Sequence, residues 1–334
     1  MAVNIDLIIP GLNDLPVDEL DSSFLKSKLP ALNQLLRFGR CCRNQAFDLE
    51  SMLIDSMGWE DLQTLPFAQA YASKQTQNSD SNLLFRAIHL KADMHSAIVL
   101  PLEDNQVNKD DISIIINDLR DLFKVDCDIV EVQNGLWLMH LHQCRPAQHY
   151  PHFLSILGKK ADPYIEQSRQ ALPWYKLVNE MQMFMHQHDI NRDRQASGLL
   201  PINSLWLWGA GNLSKLTTNN INWYCDDELL RQFAGVSRIA CENLDKVQTH
   251  AFGCDSMIVD MALLEALKIS GTANLQALLS NMEIALFKPL LQGVMSGKCK
   301  LRLRFGSSND LILSRYSTCQ WWKKSVSLVE YATH

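Results

Sequence analysis

The residues best suited to chemistry cluster in one stretch, 180–211. It carries Glu180, His186, His188 and Asp189, then Arg192 and Arg194, then an apolar run from Ile202 to Trp208 that stops at Gly209-Ala210-Gly211. Glycines at the end of such a run let backbone N–H groups approach an anion closely. Guanidinium forks beside them bind phosphate or carboxylate in a bidentate way. The competing reading is a purely steric strand-to-loop turn, because a short Gly-x-Gly is a weak motif. His186 and His188 are two apart, so a helix turns them to different faces instead of sharing an ion at the i, i+4 spacing. Met181, Met183 and Met185 beside them suit a packed core better than a thioether site. His89, Asp93 and His95 are metal-binding residue types that read as a polar turn, and Cys241 and Cys254 lack a partner base. No G-x-S-x-G, Walker or H-E-x-x-H pattern occurs.

These residues must be held by a sizeable scaffold. The chain has 334 residues, 47% of them hydrophobic and 20% charged, enough for one large α/β domain or a domain with an insertion. A net charge of −6 argues against a general polyanion binder, which needs excess Lys and Arg to release counterions. Nine cysteines without C-x-x-C spacing signal neither zinc nor a disulfide framework. The opening MAVNIDLIIPGL lacks a basic leader and its apolar run is too short to span a bilayer, so a reducing cytoplasm is expected and no membrane.

In chain order, 3–9 reads as a strand ending at Pro10-Gly11, and Pro30 opens a helix that Gly39 stops. Further helix is expected over 50–71, broken around Gly58 and Pro66, followed by a polar linker. Two strands (84–90 and 97–100), a helix (110–123) and a hairpin turning at Asn134-Gly135 make a compact unit, placed as an inserted α+β domain at 84–143. A helix follows at 174–188, then the strand that ends at Trp208. Beyond it come a strand at 220–224, a helix through Ala240, a helix over 255–267 and a long helix over 274–295, bent or ended near Pro289. A hairpin then pairs 300–305 with 311–316, its first strand alternating Leu301, Leu303 and Phe305 against Lys300, Arg302 and Arg304. The alternation of strands and helices predicts an α/β fold: a mostly parallel sheet flanked by helices. Its ligands would sit at the carboxyl ends of the strands, near Pro10-Gly11 and near Gly209 to Gly211.

Several segments resemble a known family. The run LVNEMQMFMHQHDINRDRQASGLLPINSLWLWGAG, with LPALNQLLRFGR, FRAIHLKAD and KPLLQGVMSGKCKLRLRFG, is similar to the bacterial RpfE-type regulatory proteins, often labelled phosphoglycerate mutase. More distantly the layout looks like the archaeal-type cofactor-independent phosphoglycerate mutases of the alkaline phosphatase superfamily. The resemblance implies an alkaline-phosphatase-like core at 1–83 and 144–334 around the inserted domain. It also implies two divalent metals that activate a Ser or Thr nucleophile, held by Asp and His.

The chain departs from that pattern at the metal positions. Pro10 stands where the family's first metal aspartate precedes glycine, and Ser51 is the hydroxyl near the nucleophile position. The segments VDMALLEALKISG and KLRLRFGSSNDLILSRYSTC, where the remaining ligands belong, contain no histidine, and Trp208 replaces the arginine of the glycine turn. Arg86 and Asn203 match the family and are carried over as ligand contacts, with Arg192, Arg194, Gly209 and Gly211 beside them; Asn203 reads equally as a structural hydrogen bonder. The expectation is a metal-free, cofactor-free, non-catalytic protein with a binding or regulatory role. Its partner would be a small anionic, phosphorylated ligand or another protein. The alternative is a mutase or phosphohydrolase whose non-standard site draws Arg86, Arg192, Arg194, His186 and His188 towards the glycine loop. Nucleic-acid binding through the basic hairpin face and Trp321-Trp322 is not expected, given the net negative charge.

Overall fold

A computed structural model describes residues 2–46, 48–59, 61–72, 81–93, 96–102, 109–143, 149–164, 172–217, 220–270, 274–306, 309–320, 322–323 and 328. His95, Trp321 and most of the polar linker lie outside them. The strands are β1 (Val3–Ile8), β2 (Arg40–Arg43), β3 (Asn82–Asp93), β4 (Ser96–Leu100), β5 (Cys127–Gln133), β6 (Leu136–Leu141), β7 (Ser204–Trp208), β8 (Asn222–Cys225), β9 (Cys241–Glu242), β10 (Ser256–Val259), β11 (Cys299–Arg304) and β12 (Asn309–Leu313). The chain divides into two units. One comprises Met1–Glu60, Thr217–Leu267 and Gly271–His334, the other Asp61–Leu216 with Lys268–Ser270.

The first unit is built on a seven-stranded sheet in the order β2-β12-β11-β1-β10-β8-β9. Strands β11, β1, β10, β8 and β9 are parallel; β12 and β2 extend the sheet antiparallel. The inner strands are mostly buried, as a sheet covered by helices requires, with Asp6 of β1 and Arg302 and Arg304 of β11 on one face. Ile5, Leu7, Leu301 and Leu303 turn to one face, where they pack against Leu32 and Leu35 of the helix Pro30–Phe38 and against Leu279, Leu286 and Leu290 of the 275–295 segment. The buried Glu283 accepts from the N–H groups of Ala31 and Leu32 at 2.5 and 3.1 Å, and so caps the first turn of the neighbouring helix. On the other face Trp223 lies 6.4 Å from Trp59 and 6.3 Å from Phe233, and its indole N–H donates to Met57 Sδ at 3.2 Å. The helix Leu49–Met57 covers this face.

The second unit is a five-stranded antiparallel sheet, β4-β3-β6-β5 with β7 paired to β3. One face carries Leu83, Phe85, Trp137 and Met139 into a core closed by Ile115 and Leu119 of the helix Lys109–Leu122. Trp174, Leu177, Met181 and Met185 of the helix Leu172–Gln187 close it from the other side.

The mostly parallel, helix-flanked sheet agrees with the expectation from the sequence, and three placements differ. Strand β7 is not a carboxyl-end strand of the parallel sheet: it runs antiparallel to β3, with Leu84 opposite Trp208, so its glycine loop belongs to the second unit. That pairing, with helix 172–187 packed on the same core, extends the second unit to 61–216, beyond the 84–143 segment. The helix expected over 255–267 begins instead as β10, between β1 and β8, and only Ala262–Glu265 is α-helical. Ser256 to Val259 are buried on both sides, and a short continuous apolar run has no period that separates strand from helix. The four-residue strand β2 also emerges, as a sheet edge, from the Arg-Cys-Cys-Arg run.

Candidate functional site

The six residues singled out in the sequence all fall in the second unit, where their partners are separate. Asn203 accepts from the Leu90 N–H at 2.7 Å through Oδ1 and donates to the Leu90 carbonyl at 3.0 Å through Nδ2. Its amide mimics a strand neighbour for β3 just past the end of the β7 ladder, which is the structural role. Arg194 is buried; Nε donates to the Leu200 carbonyl and Nη1 to Asp111 Oδ2, both at 3.0 Å. Beside it the buried Asn191 donates to the Met185 and Ile202 carbonyls at 2.6 and 2.7 Å and accepts from the Ile202 N–H at 2.7 Å. These two side chains pin the loop that feeds β7. Arg192 is exposed and ion-paired to Asp189 one helical turn away.

The glycines face protein, not an open cradle. Gly209 has φ +78°, and a Cβ there would stand 3.1 Å from Phe67 Cβ and 3.2 Å from the Ala68 nitrogen; the Ala68 N–H donates to the Gly209 carbonyl at 2.9 Å. Gly211 presses on Pro66 in the same way, at 3.2 Å. Both are glycine because the chain crosses the turn at 66–68 at backbone distance. His188 caps its own helix by accepting from the Ile190 N–H at 3.2 Å, with Asp118 at 3.1 Å from its Nε2. Arg192, Arg194 and His188 thus each meet a different acidic partner, Asp189, Asp111 and Asp118.

Arg86 is the exception in setting. It sits half-buried on β3, donates to the Gly135 carbonyl at 3.3 Å, and holds its guanidinium 5.5 Å over the Phe153 ring. Nearby His152 is buried, edge-on at 5.7 Å to both Phe67 and Trp208. Burial, helped by the Arg86 charge, pushes its imidazole down to about 3. The ring is thus neutral at physiological pH, and its Nδ1 accepts from the Leu154 N–H at 3.3 Å. It caps a helical turn and is not poised to carry protons.

In the first unit the carboxyl ends of the parallel strands bring Pro10, Asp226 and Asp260 forward. The Asp260 N–H donates to the Ile8 carbonyl at 3.0 Å, and its Oδ1 accepts from the Ala262 N–H at 3.0 Å. Burial raises its pKa, and the Asp226 charge adds to the rise. Asp226 accepts from the Leu244 N–H at 3.0 Å, and Asp227 caps the helix Glu228–Val236 through the Leu230 N–H at 2.8 Å. Ser51 forms a capping box with Asp48 at the start of the helix Leu49–Met57. These polar groups hold backbone ends. Among the described residues no three His, Cys, Asp or Glu side chains stand together as a metal-holding group.

The largest charged constellation is one that sequence reading missed. Under the helix Leu49–Met57, the guanidiniums of Arg302 and Arg304 meet the carboxylates of Asp6, Asp55 and Asp310. Arg302 reaches Asp310 at 2.7 Å and Asp55 at 2.9 Å; Arg304 reaches Asp55 at 2.9 Å and Asp310 at 3.4 Å. Arg304 is fully buried and also donates to the Met52 carbonyl at 2.8 Å and to Ser56 Oγ at 2.7 Å, while the Ser56 hydroxyl donates to Asp6 at 2.6 Å. Asn44 donates to the remaining oxygen of Asp310 at 2.9 Å. The alternation in β11 was visible in the sequence, but what its basic face meets was not. The missed signal is Asp6, a charge within the apolar strand β1 and in register with Arg302. On that face of β11, Lys300 alone is exposed.

No family model matches the chain. A 2,3-bisphosphoglycerate-independent phosphoglycerate mutase of Methanosarcina mazei is 25% identical over 121 residues, 33% of this chain and 28% of that protein. The enzyme of the same name from Methanosarcina barkeri is 31% identical over 75 residues, 22% of this chain and 17% of that protein. The matched segments thus span less than a third of either relative. Among solved structures, a cofactor-independent phosphoglycerate mutase from Thermoplasma acidophilum superposes with a TM-score of 0.39 at 14% identity, covering 94% of this chain and 89% of that one. A Pyrococcus horikoshii protein gives 0.48 at 14% identity, covering 94% and 88%.

Two outcomes follow from the charged constellation. Replacing Arg304 by Met strands buried carboxylates and costs about 3–5 kcal/mol in urea unfolding, whereas Lys300→Met, on the exposed side, changes stability by less than about 0.5 kcal/mol. Burial raises the Asp6 carboxyl above its ordinary range, against the pull of Ser56 and the two arginines. The folded state therefore binds the Asp6 proton more tightly than the unfolded chain, and this contribution to stability fades as pH rises through the raised value. Asp6→Asn should remove that slope, so urea midpoints measured from about pH 4 to about pH 7 should fall less steeply in the variant than in the wild type.

Proposed function

We propose that this chain is a phosphoglycerate-mutase-like protein of the alkaline phosphatase superfamily, of the RpfE type, that binds or regulates in the cytoplasm and does not catalyse phosphoryl transfer. The observation that carries the reading is the donor set. A pair of divalent metals needs several Asp and His side chains converging with open lone pairs. At the carboxyl ends of the parallel strands this chain offers Pro10, which has no side-chain donor. Asp226, Asp227 and Asp260 are there, each with one oxygen on a backbone N–H, but among the described residues no three His, Cys, Asp or Glu side chains stand together as a metal-holding group. One sheet face away, the Asp6, Asp55 and Asp310 carboxylates are met by guanidiniums. The residues do not fit the metal pair.

The ligand proposed is a small phosphorylated anion or a protein partner. Arg86 is half-buried on β3, where it donates to the Gly135 carbonyl and lies over the Phe153 ring, while Arg194 pairs with Asp111 and Arg192 with Asp189. The names of the Methanosarcina relatives favour a second reading, a mutase or phosphohydrolase with a non-standard site. Among the described residues no helix is long and apolar enough to cross a membrane.

Incubation of the purified chain with 2- or 3-phosphoglycerate and added Mn²⁺ separates the two readings. No interconversion above the buffer control is expected. Turnover that requires the protein and rises with Mn²⁺ would overturn the non-catalytic reading.

A further inference from the structure

The seven-stranded sheet of the first unit ends in β2, a four-residue strand whose residues are all exposed. It pairs antiparallel with β12, and among the described residues no strand lies on its other side. In such a ladder alternate residues turn both N–H and C=O away from the partner, so β2 offers main-chain donors and acceptors outward. The described C-terminal residues turn away from it: Lys323 donates to the Gly39 carbonyl at 3.4 Å, and the Leu328 N–H to Asn33 Oδ1 at 3.1 Å, further back along the helix Pro30–Phe38. An edge of this kind is a template for another chain.

The side chains decide which chain. Arg40 and Arg43 are three apart, so in a strand they stand on opposite faces. Their cross-strand neighbours on β12, Ile312 and Asn309, are uncharged, and among the described residues neither arginine is in an ion pair. A guanidinium thus flanks the free edge on each face of the sheet. A second copy adding its β2 antiparallel in full overlap would set Arg40 against Arg43 twice, and like charges directly opposite are destabilising. An acidic strand meets both arginines when its own carboxylates are three residues apart, because that spacing again places them on opposite faces, whichever way the strand runs. At the Arg43 end lies a groove of about 370 Å³ lined by Arg43, Asn44, Gln45 and Asn309, with room for the incoming chain beyond the ladder.

We propose that β2 binds an extended acidic segment of a partner protein as an added strand, two carboxylates three residues apart pairing with Arg40 and Arg43. Main-chain hydrogen bonds supply the affinity, and the carboxylates supply the specificity. This gives a chemistry to the protein partner of the proposed function but does not rest on the absence of catalysis: mutase activity would leave it standing.

The test is fluorescence anisotropy of the capped, labelled peptide Thr-Val-Glu-Thr-Thr-Glu-Val-Thr titrated with the full chain. Glutamine in place of both glutamates should weaken binding about fivefold, the worth of two exposed ion pairs. In the double variant Arg40→Gln, Arg43→Gln, with far-UV circular dichroism confirming the fold, the two peptides should bind alike. Only one edge of an added strand faces β2, so of two glutamate peptides N-methylated on alternate sets of amides, one should lose binding and the other keep it. Equal binding of the glutamate and glutamine peptides to the wild type, equal behaviour of the two N-methylated peptides, or no binding up to about 1 mM would each overturn the proposal. A dimer of the wild type that the double substitution abolishes would assign the edge to a second copy and overturn it as well.

Discussion

A buried charge has to be matched where it lies, because the interior offers no water to replace the lost solvation. In the first unit that requirement falls on Arg304, which is fully enclosed between β11 and the helix Leu49–Met57. It fixes three elements at once: the helix through the Met52 carbonyl, Ser56 and Asp55, strand β12 through Asp310, and, through the Ser56 hydroxyl, Asp6 on β1. Arg302 doubles the link between helix and hairpin. The sheet face that carries these carboxylates is thereby held by the chain's own cations.

The second unit solves an equivalent problem with neutral amides. The loop before β7 has backbone groups that no ladder satisfies, and Asn191 and Asn203 supply the missing partners at Met185, Ile202 and Leu90. Arg194 adds the Leu200 carbonyl. The stretch richest in chemically promising residues is therefore largely devoted to holding a strand edge. Polar side chains that satisfy backbone and polar side chains that bind ligands look alike in a sequence, since both demand donors and acceptors near turns.

This explains how much was legible in advance. The long amphipathic helices, the Asn134-Gly135 hairpin and strand β1 follow from period and turn chemistry, which are local. Strand β10 was taken for helix because a buried serine and three buried apolar residues have no period; only its neighbours β1 and β8 identify it. Gly209 and Gly211 were rightly marked as special, but whether a glycine admits a ligand or another stretch of backbone depends on what faces it, here the turn at 66–68. The basic face of β11 was seen, but not its burial against Asp6 and Asp55, which are distant in sequence. Pro10 needed no structure to interpret: a residue without a side-chain donor cannot supply a side-chain ligand in any fold.

The central proposal is that the carboxylates of the first unit are engaged by arginines and backbone N–H groups and supply no donor set for a metal pair. Elemental analysis of the chain purified without chelator tests it most directly. The account predicts Mn and Zn well below one ion per chain, unchanged by dialysis against either metal followed by desalting. Two tightly held ions per chain would contradict it.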